Sequence, residues 1–357
     1  MTRLAVILFN LGGPDSLQSV QPFLFNLFND PAIIGVPNPI RWCLAHLISR
    51  RRAPVAKQIY SYIGGKSPLL EETQGQACEL ERRLVSLDSF EISKVFVCMR
   101  YWHPMSDEIA SAVKDYKPDT IVLLPLYPQY SATTSGSSLK EWERAAARAN
   151  IKAETKTICC YPLNQGWIEA QAKLICDALE GGEFLDFSKV RVLFSAHGLP
   201  KKVIKSGDPY QWQIEKTAAA VIEKMKENDE FPTINDWQVC YQSRVGPLEW
   251  IGPATESELA RAAKEKIAVV VVPIAFVSEH SETLVELDIE YREEAEKLGV
   301  PNYVRVPAVS IHPSFVDGLK SLVDGVLDSH QSVTCGLGRG KRFCPNVHKK
   351  CPIELRE

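Results

Sequence analysis

Runs of consecutive apolar residues, each stopped by Gly, Pro or a polar turn, recur along the chain and set its element order. Leu4 to Leu11, Val95 to Tyr101 and Thr120 to Leu126 are largely apolar. Strands buried on both faces read this way, whereas half-buried strands alternate. The second half repeats the habit at Val190 to Phe194, Trp237 to Tyr241, Ile267 to Ile274 and Tyr303 to Val306. Between these runs the period lengthens. Val20, Phe23, Leu24, Leu27 and Phe28 share one side of a helix over Ser16 to Asn29, and Asp107 to Lys114, Gln213 to Lys226 and Glu256 to Lys264 also read as helices. Alternating strands and helices predict an α/β protein with parallel sheets covered on both faces.

The halves also resemble each other. LLPLYPQYSATTSGSS aligns with VVPIAFVSEHSET, and FNLGGP with FSAHGLP. The pattern therefore predicts two similar Rossmann-like lobes, 1–165 and 166–330, each with a parallel four-stranded sheet, followed by a Cys-containing extension, 331–357. A ligand cleft is expected between the lobes, at the carboxyl ends of the strands.

Composition narrows the partners. The hydrophobic share of 45%, the charged share of 24% and the net charge of -3 suit a soluble globular protein and argue against general nucleic-acid binding. The apolar start is too short for a signal peptide, and no apolar run is long enough to span a bilayer. A cytoplasmic location is expected. From Pro31 to Arg52 the chain is apolar and Pro-broken, with Ile40, Leu44, Leu47 and Ile48 at helical spacing before Arg50, Arg51 and Arg52. This segment reads either as a greasy lip that touches the inner membrane peripherally or as an ordinary helix with a basic end.

Candidate chemistry collects at two strand ends. His197 follows the apolar run VRVLFSA, where an imidazole could act as acid, base or metal ligand, or simply satisfy a turn. Glu279, Glu282, Glu286 and Glu290 follow the run AVVVVPIAF at helical spacing, with His280 alongside. That stripe reads as a solvated helix face or as a cation and proton site facing His197.

The motifs SAHGLP, PIAFVSEHSETLVELDIEY, NLGGP, MRYWHP, YPQYSATTSGSS and YQSRVGPLEWIGP, six matches in the right order, resemble the ferrochelatase family, and the resemblance runs from about residue 3 to residue 325. The resemblance implies an enzyme that takes protoporphyrin IX and ferrous iron as substrates and releases protohaem and two protons. It implies that His197 is the catalytic histidine, that Glu282 is its partner carboxylate, both also touching the substrate iron, and that His280 and Glu286 lie along a proton or iron path. Leu11, Arg100 and Tyr101 match porphyrin-face positions, Trp250 is expected near the ring, and Tyr60, Lys66 and Ser137 are candidates for the propionates. Leu11 stands where animal members carry Met.

The tail departs most from that pattern. Cys335, Cys344 and Cys351 sit in a Gly-rich basic segment. Similar extensions imply a [2Fe-2S] cluster, with Cys160 or Cys159 as fourth ligand, since Ala132 occupies the internal position used by animal members. A zinc site of Cys335, Cys344, His348 and Cys351, or no metal at all, remains open. So do a sister chelatase for another metal or for coproporphyrin III, a non-catalytic tetrapyrrole-binding protein, and the oligomeric state.

Overall fold

Leu4 to Asn10, seven consecutive buried residues, make β1 (Arg3–Asn10) an interior strand of a parallel sheet. The computed structural model describes residues 2–85, 90–182, 184, 186–229, 231–244, 246–336 and 341–353. The chain forms two compact units, Met1–Cys160 with Leu319–Arg342, and Tyr161–Gly318 with Phe343–Glu357.

In the first unit β1 is followed by α1 (Val20–Phe28), α2 (Ile40–Ser61), α3 (Leu69–Leu84), β2 (Ile92–Met99), α4 (Ser106–Tyr116), β3 (Thr120–Pro125), α5 (Ser135–Arg148) and β4 (Glu154–Ile158). The helices cover a core in which Ile7, Phe9, Phe96, Leu123 and Trp142 pack together. The chain after β1 turns through Gly12, whose φ of +83 is open to glycine at little cost, and Gly13, where a Cβ would lie 2.5 Å from Ser67.

The second unit runs α6 (Gln165–Gly181), β5 (Val190–His197), α7 (Lys201–Lys205), α8 (Tyr210–Lys226), β6 (Trp237–Gln242), α9 (Thr255–Glu265) and β7 (Ala268–Pro273). A π-helix (Glu282–Glu290), α10 (Tyr291–Leu298), β8 (Tyr303–Arg305) and the start of α11 (Pro313–Leu327) follow. Its parallel sheet has the order β6-β5-β7-β8, so the central pair β5 and β7 deliver His197 and the acidic segment at neighbouring strand ends.

Two expectations change. The first sheet has five strands, ordered β2-β1-β3-β4-β9, because β9 (Val333–Thr334) from the tail pairs with β4. Both β4, of which only Ile158 is buried, and the two-residue β9 lack the long apolar run that marks the other strands. The acidic stripe also differs. Its turn is wider than an α-helix, and the Tyr291 N–H donates to the Glu286 carbonyl five residues back. π-helical turns are rare and concentrate at functional sites.

Candidate active site

His197 is the last residue of β5 and lies in register with Gln242 of β6. Its Nδ1 is 2.8 Å from Glu282 Oε2 at the start of the π-helix. A carboxylate only accepts, so Nδ1 carries a proton and donates it. The imidazole is 41% exposed and the Glu282 side chain 25%, which leaves the pair open to a ligand. Gly198 comes next because a Cβ there would lie 3.0 Å from the Gln242 carbonyl and 3.3 Å from the Trp250 ring.

Ser243 fastens the second carboxylate. It follows β6 with φ at 58, a left-handed conformation that aims its N–H and hydroxyl at Glu286. The N–H donates to Oε1 at 2.8 Å and the hydroxyl to Oε2 at 2.5 Å, while Gln242 Nε2 donates to the same Oε2 at 3.0 Å. The Ser243 hydroxyl is also 3.3 Å from Glu282 Oε2, so it sits between the two acids. Gln242 is itself held, since Ser195 Oγ donates to its Oε1 at 2.8 Å.

These neighbours split the titrations. Burial works against a charged His197, but the adjacent Glu282 carboxylate outweighs it and the imidazole pKa is raised. Glu282 loses more by burial than an exposed acid, yet the His197 charge beside it holds its carboxyl below the ordinary range. Glu286 goes the other way, raised first by burial and then by the charge of Glu282. One acid is kept ionised and the other is biased toward holding a proton.

The first unit gathers a second group. Asp30, after α1, is buried and accepts from Arg100 Nη2 at 2.7 Å, from the Tyr101 hydroxyl at 2.8 Å, from the Ala32 N–H at 2.7 Å and from Ser137 Oγ. Arg100 Nε also donates to Ser137 Oγ at 2.8 Å, and the guanidinium lies 4.8 Å from the centre of the Tyr101 ring. Tyr60 and Tyr101 are buried in one apolar cluster, with Leu11 packed against it.

Comparison with known proteins shows the family of the chain. The family model described as Ferrochelatase matches residues 3–327. The ferrochelatase of Caulobacter vibrioides (strain NA1000 / CB15N) is 50% identical over 351 residues, 98% of this chain and 97% of that protein. The chain belongs to the ferrochelatase family. Another member, the ferrochelatase of Pelagibacter ubique (strain HTCC1062), is 48% identical over 350 residues, covering 98% of each chain. Among solved structures, SirB from Bacillus subtilis with Fe3+ has a TM-score of 0.52 at 13% identity, covering 92% of this chain and 96% of its own, and shares the fold.

Within this ferrochelatase fold the expected site residues divide. His197, Glu282 and Glu286 come together through Ser243, and Arg100, Tyr101 and Ser137 come together through Asp30. His280 is buried, with Nδ1 donating to the Ser278 carbonyl at 3.1 Å and its ring 4.7 Å from Phe276. Lys66 pairs with Glu71 on the surface, and Trp250 bridges to Pro200 with its Nε1 buried and without a partner among the described residues. Sequence reasoning passed over Asp30, Gln242 and Ser243. Ser243 lies inside the motif YQSRVGP, and Asp30 is an acid placed directly before the Pro-broken lip, but neither signals its partners.

The tail thiols are all buried. Cys335 Sγ donates to the Lys341 carbonyl at 3.0 Å in the first unit, where the Cys159 and Cys160 sulfurs are 3.7 Å apart. Cys344 Sγ accepts from Gln213 Nε2 at 3.1 Å in the second unit, with Phe343 and His348 both against the Trp212 ring. Among the described residues, no three His, Cys, Asp or Glu side chains are placed to hold a metal ion. No helix among the described residues is long and apolar enough to cross a membrane.

Proposed function

We propose that this chain inserts ferrous iron into protoporphyrin IX, with His197 as the proton acceptor. Metallation breaks two pyrrole N–H bonds, forms bonds from the four ring nitrogens to iron, and releases two protons. A base must therefore stand where the iron arrives. The observation that carries this reading is the 2.8 Å contact between His197 Nδ1 and Glu282, on a chain of the ferrochelatase family. With Nδ1 committed as donor, the Nε2 lone pair takes a pyrrole proton, and the Glu282 carboxylate stabilises the imidazolium that forms. Glu286, biased toward its protonated form, receives the proton next through the Ser243 hydroxyl. His280 belongs to the same path, and His197 and Glu282 also meet the iron as it enters. In the first unit Arg100, Tyr101, Ser137, Leu11, Tyr60 and Lys66 are assigned to the porphyrin, and in the second Trp250.

The exposed apolar residues Ile40, Trp42 and Leu47 on α2, beside exposed Arg50, Arg51 and Arg52, support peripheral contact with a membrane that supplies a hydrophobic substrate. A [2Fe-2S] cluster on Cys335, Cys344, Cys351 and Cys160 or Cys159 is supported by the burial of these thiols. It is assigned no step of the reaction.

One preparation tests these points. Anaerobic protein is first scanned in the visible, where charge-transfer bands with bound iron would establish the cluster and their absence would remove it. Protoporphyrin IX and ferrous iron are then added, with coproporphyrin III and other divalent metals in parallel. Conversion to haem bands by the parent chain, and a fall of about 100-fold or more in His197→Ala, is the expected result. Porphyrin binding without conversion of any metal, or undiminished conversion by His197→Ala, refutes it.

A further inference from the structure

Two protons leave the porphyrin in each turnover, and a buried acid that receives them must pass them on before the next cycle. Glu286 has a third neighbour through which this can happen. Tyr291, the first residue of α10, has its ring in the core with Leu193, Leu259, Val271 and Leu287. Its hydroxyl lies 3.3 Å from Glu286 Oε1 and 3.2 Å from Glu256 Oε1. Those two carboxylates are the acids that bear on the phenol.

A hydroxyl between two acids has one proton to give and lone pairs to accept with. We propose that Tyr291 and Glu256 form the exit for protons arriving at Glu286. The step balances without any co-reactant. The Glu286 O–H bond breaks as a new bond forms at the Tyr291 oxygen, the original Tyr291 O–H breaks as Glu256 is protonated, and the phenol is restored by rotation. Tyr291 stays neutral throughout, since burial, followed by the charges of Glu286 and Glu256, raises its pKa.

Glu256 lies in the first turn of α9. Glu256 is only half-buried, which brings the proton toward water, and its Oε2 is buried without a partner among the described residues. That orphan acceptor is a place for a further hydrogen-bond donor. The π-helical turn matters here, because it sets Glu286 and Tyr291 one turn apart, with the Tyr291 N–H bonded to the Glu286 carbonyl.

This proposal rests on the reading of His197 as proton acceptor, and the test separates the two. Protein preloaded with protoporphyrin is mixed with ferrous iron under anaerobic conditions, and the single-turnover rate is followed in H2O and D2O for the parent, His197→Ala, Tyr291→Phe and Glu256→Gln. The relay predicts that Tyr291→Phe and Glu256→Gln slow metallation about tenfold, with a larger solvent isotope effect, unchanged porphyrin affinity and partial rescue by small diffusible buffers. If His197→Ala is inactive while Tyr291→Phe and Glu256→Gln keep the parent rate and isotope effect, the relay is wrong and the acceptor stands. If His197→Ala reacts normally, the acceptor reading fails and the relay loses its source. Should Tyr291→Phe not fold, Glu256→Gln decides alone, since it leaves the core ring in place.

Discussion

Removing the Asp30 carboxylate should destabilise the first unit more than most single changes and weaken its grip on porphyrin. The side chain is 2% exposed and its Arg100 partner 15%, so little water stands ready to replace the contact. In Asp30→Ala the Arg100 guanidinium loses its counter-ion, and the Tyr101 hydroxyl, the Ser137 hydroxyl and the Ala32 N–H lose an acceptor. Breaking one side of a buried, hydrogen-bonded ion pair costs about 3–5 kcal/mol. Arg100 can recover part of this by turning toward Ser137 or solvent, which places the expectation near about 3 kcal/mol. For a unit of this size the midpoint of its thermal transition should fall by roughly 6–12 °C. Calorimetry on Asp30→Ala, Arg100→Ala and the double variant provides the decisive cycle. The double variant should be less destabilised than the sum of the singles by about 1–3 kcal/mol, because removing both charges leaves neither stranded. Strictly additive effects, or a loss below about 1 kcal/mol for Asp30→Ala, would refute the view that Asp30 organises Arg100, Tyr101 and Ser137.

Two further changes probe the second unit. Glu282→Gln removes the charge that raises the His197 pKa, so the acid limb of the activity profile should move to lower pH while the maximal rate falls; a limb that stays put refutes the coupling. The stability signature has two edges. Glu282, with a lowered pKa, contributes above the ordinary carboxylate range and loses that contribution as pH falls through its folded-state value, whereas His197, with a raised pKa, contributes below the ordinary imidazole value and loses it as pH rises through its own. The midpoint difference between the parent and Glu282→Gln should therefore be widest between those edges. In the packing of α6 against α11, a Cβ at Gly166 would lie 2.0 Å from the Ser314 carbonyl and 2.8 Å from Gly318 Cα, so Gly166→Ala should cost about 1–3 kcal/mol. At Gly325 nothing lies within 4 Å of such a Cβ, and Gly325→Ala should be neutral or stabilising by denaturant titration.

The parts of the fold that were legible in the sequence are those whose burial is continuous. The apolar run into His197 marked β5, which runs three residues past Phe194, and the run AVVVVP marked β7 within a residue of its ends. The charged stripe was legible as a set of residues but not as a π-helix, because side-chain spacing does not report one inserted residue per turn. β4 and β9 escaped notice because a mostly polar strand and a two-residue strand carry no periodic signal. At the site, residue type and motif pointed to His197, Glu282 and Arg100. What the sequence could not reveal was the company each keeps. Asp30 is 70 residues from Arg100 and 107 from Ser137, and Ser243 is 39 from Glu282. Those pairings exist only once the chain has folded around them.

The strand supplied by Val333–Thr334 carries a consequence for synthesis. During translation β1 through β4 are complete long before that segment leaves the ribosome, yet β4 lacks its outer neighbour until it does. For most of that interval the nascent chain presents a bare strand edge, with unpaired N–H and C=O groups of the kind that recruit other chains. Val333 and Thr334 close it by pairing with Thr157 and Ile158, and Cys159 then donates its N–H to the Thr334 carbonyl at 2.8 Å. The first unit to be made is thus among the last to be finished, and a chain stopped short of residue 333 would leave the ribosome with an adhesive edge rather than merely a missing tail.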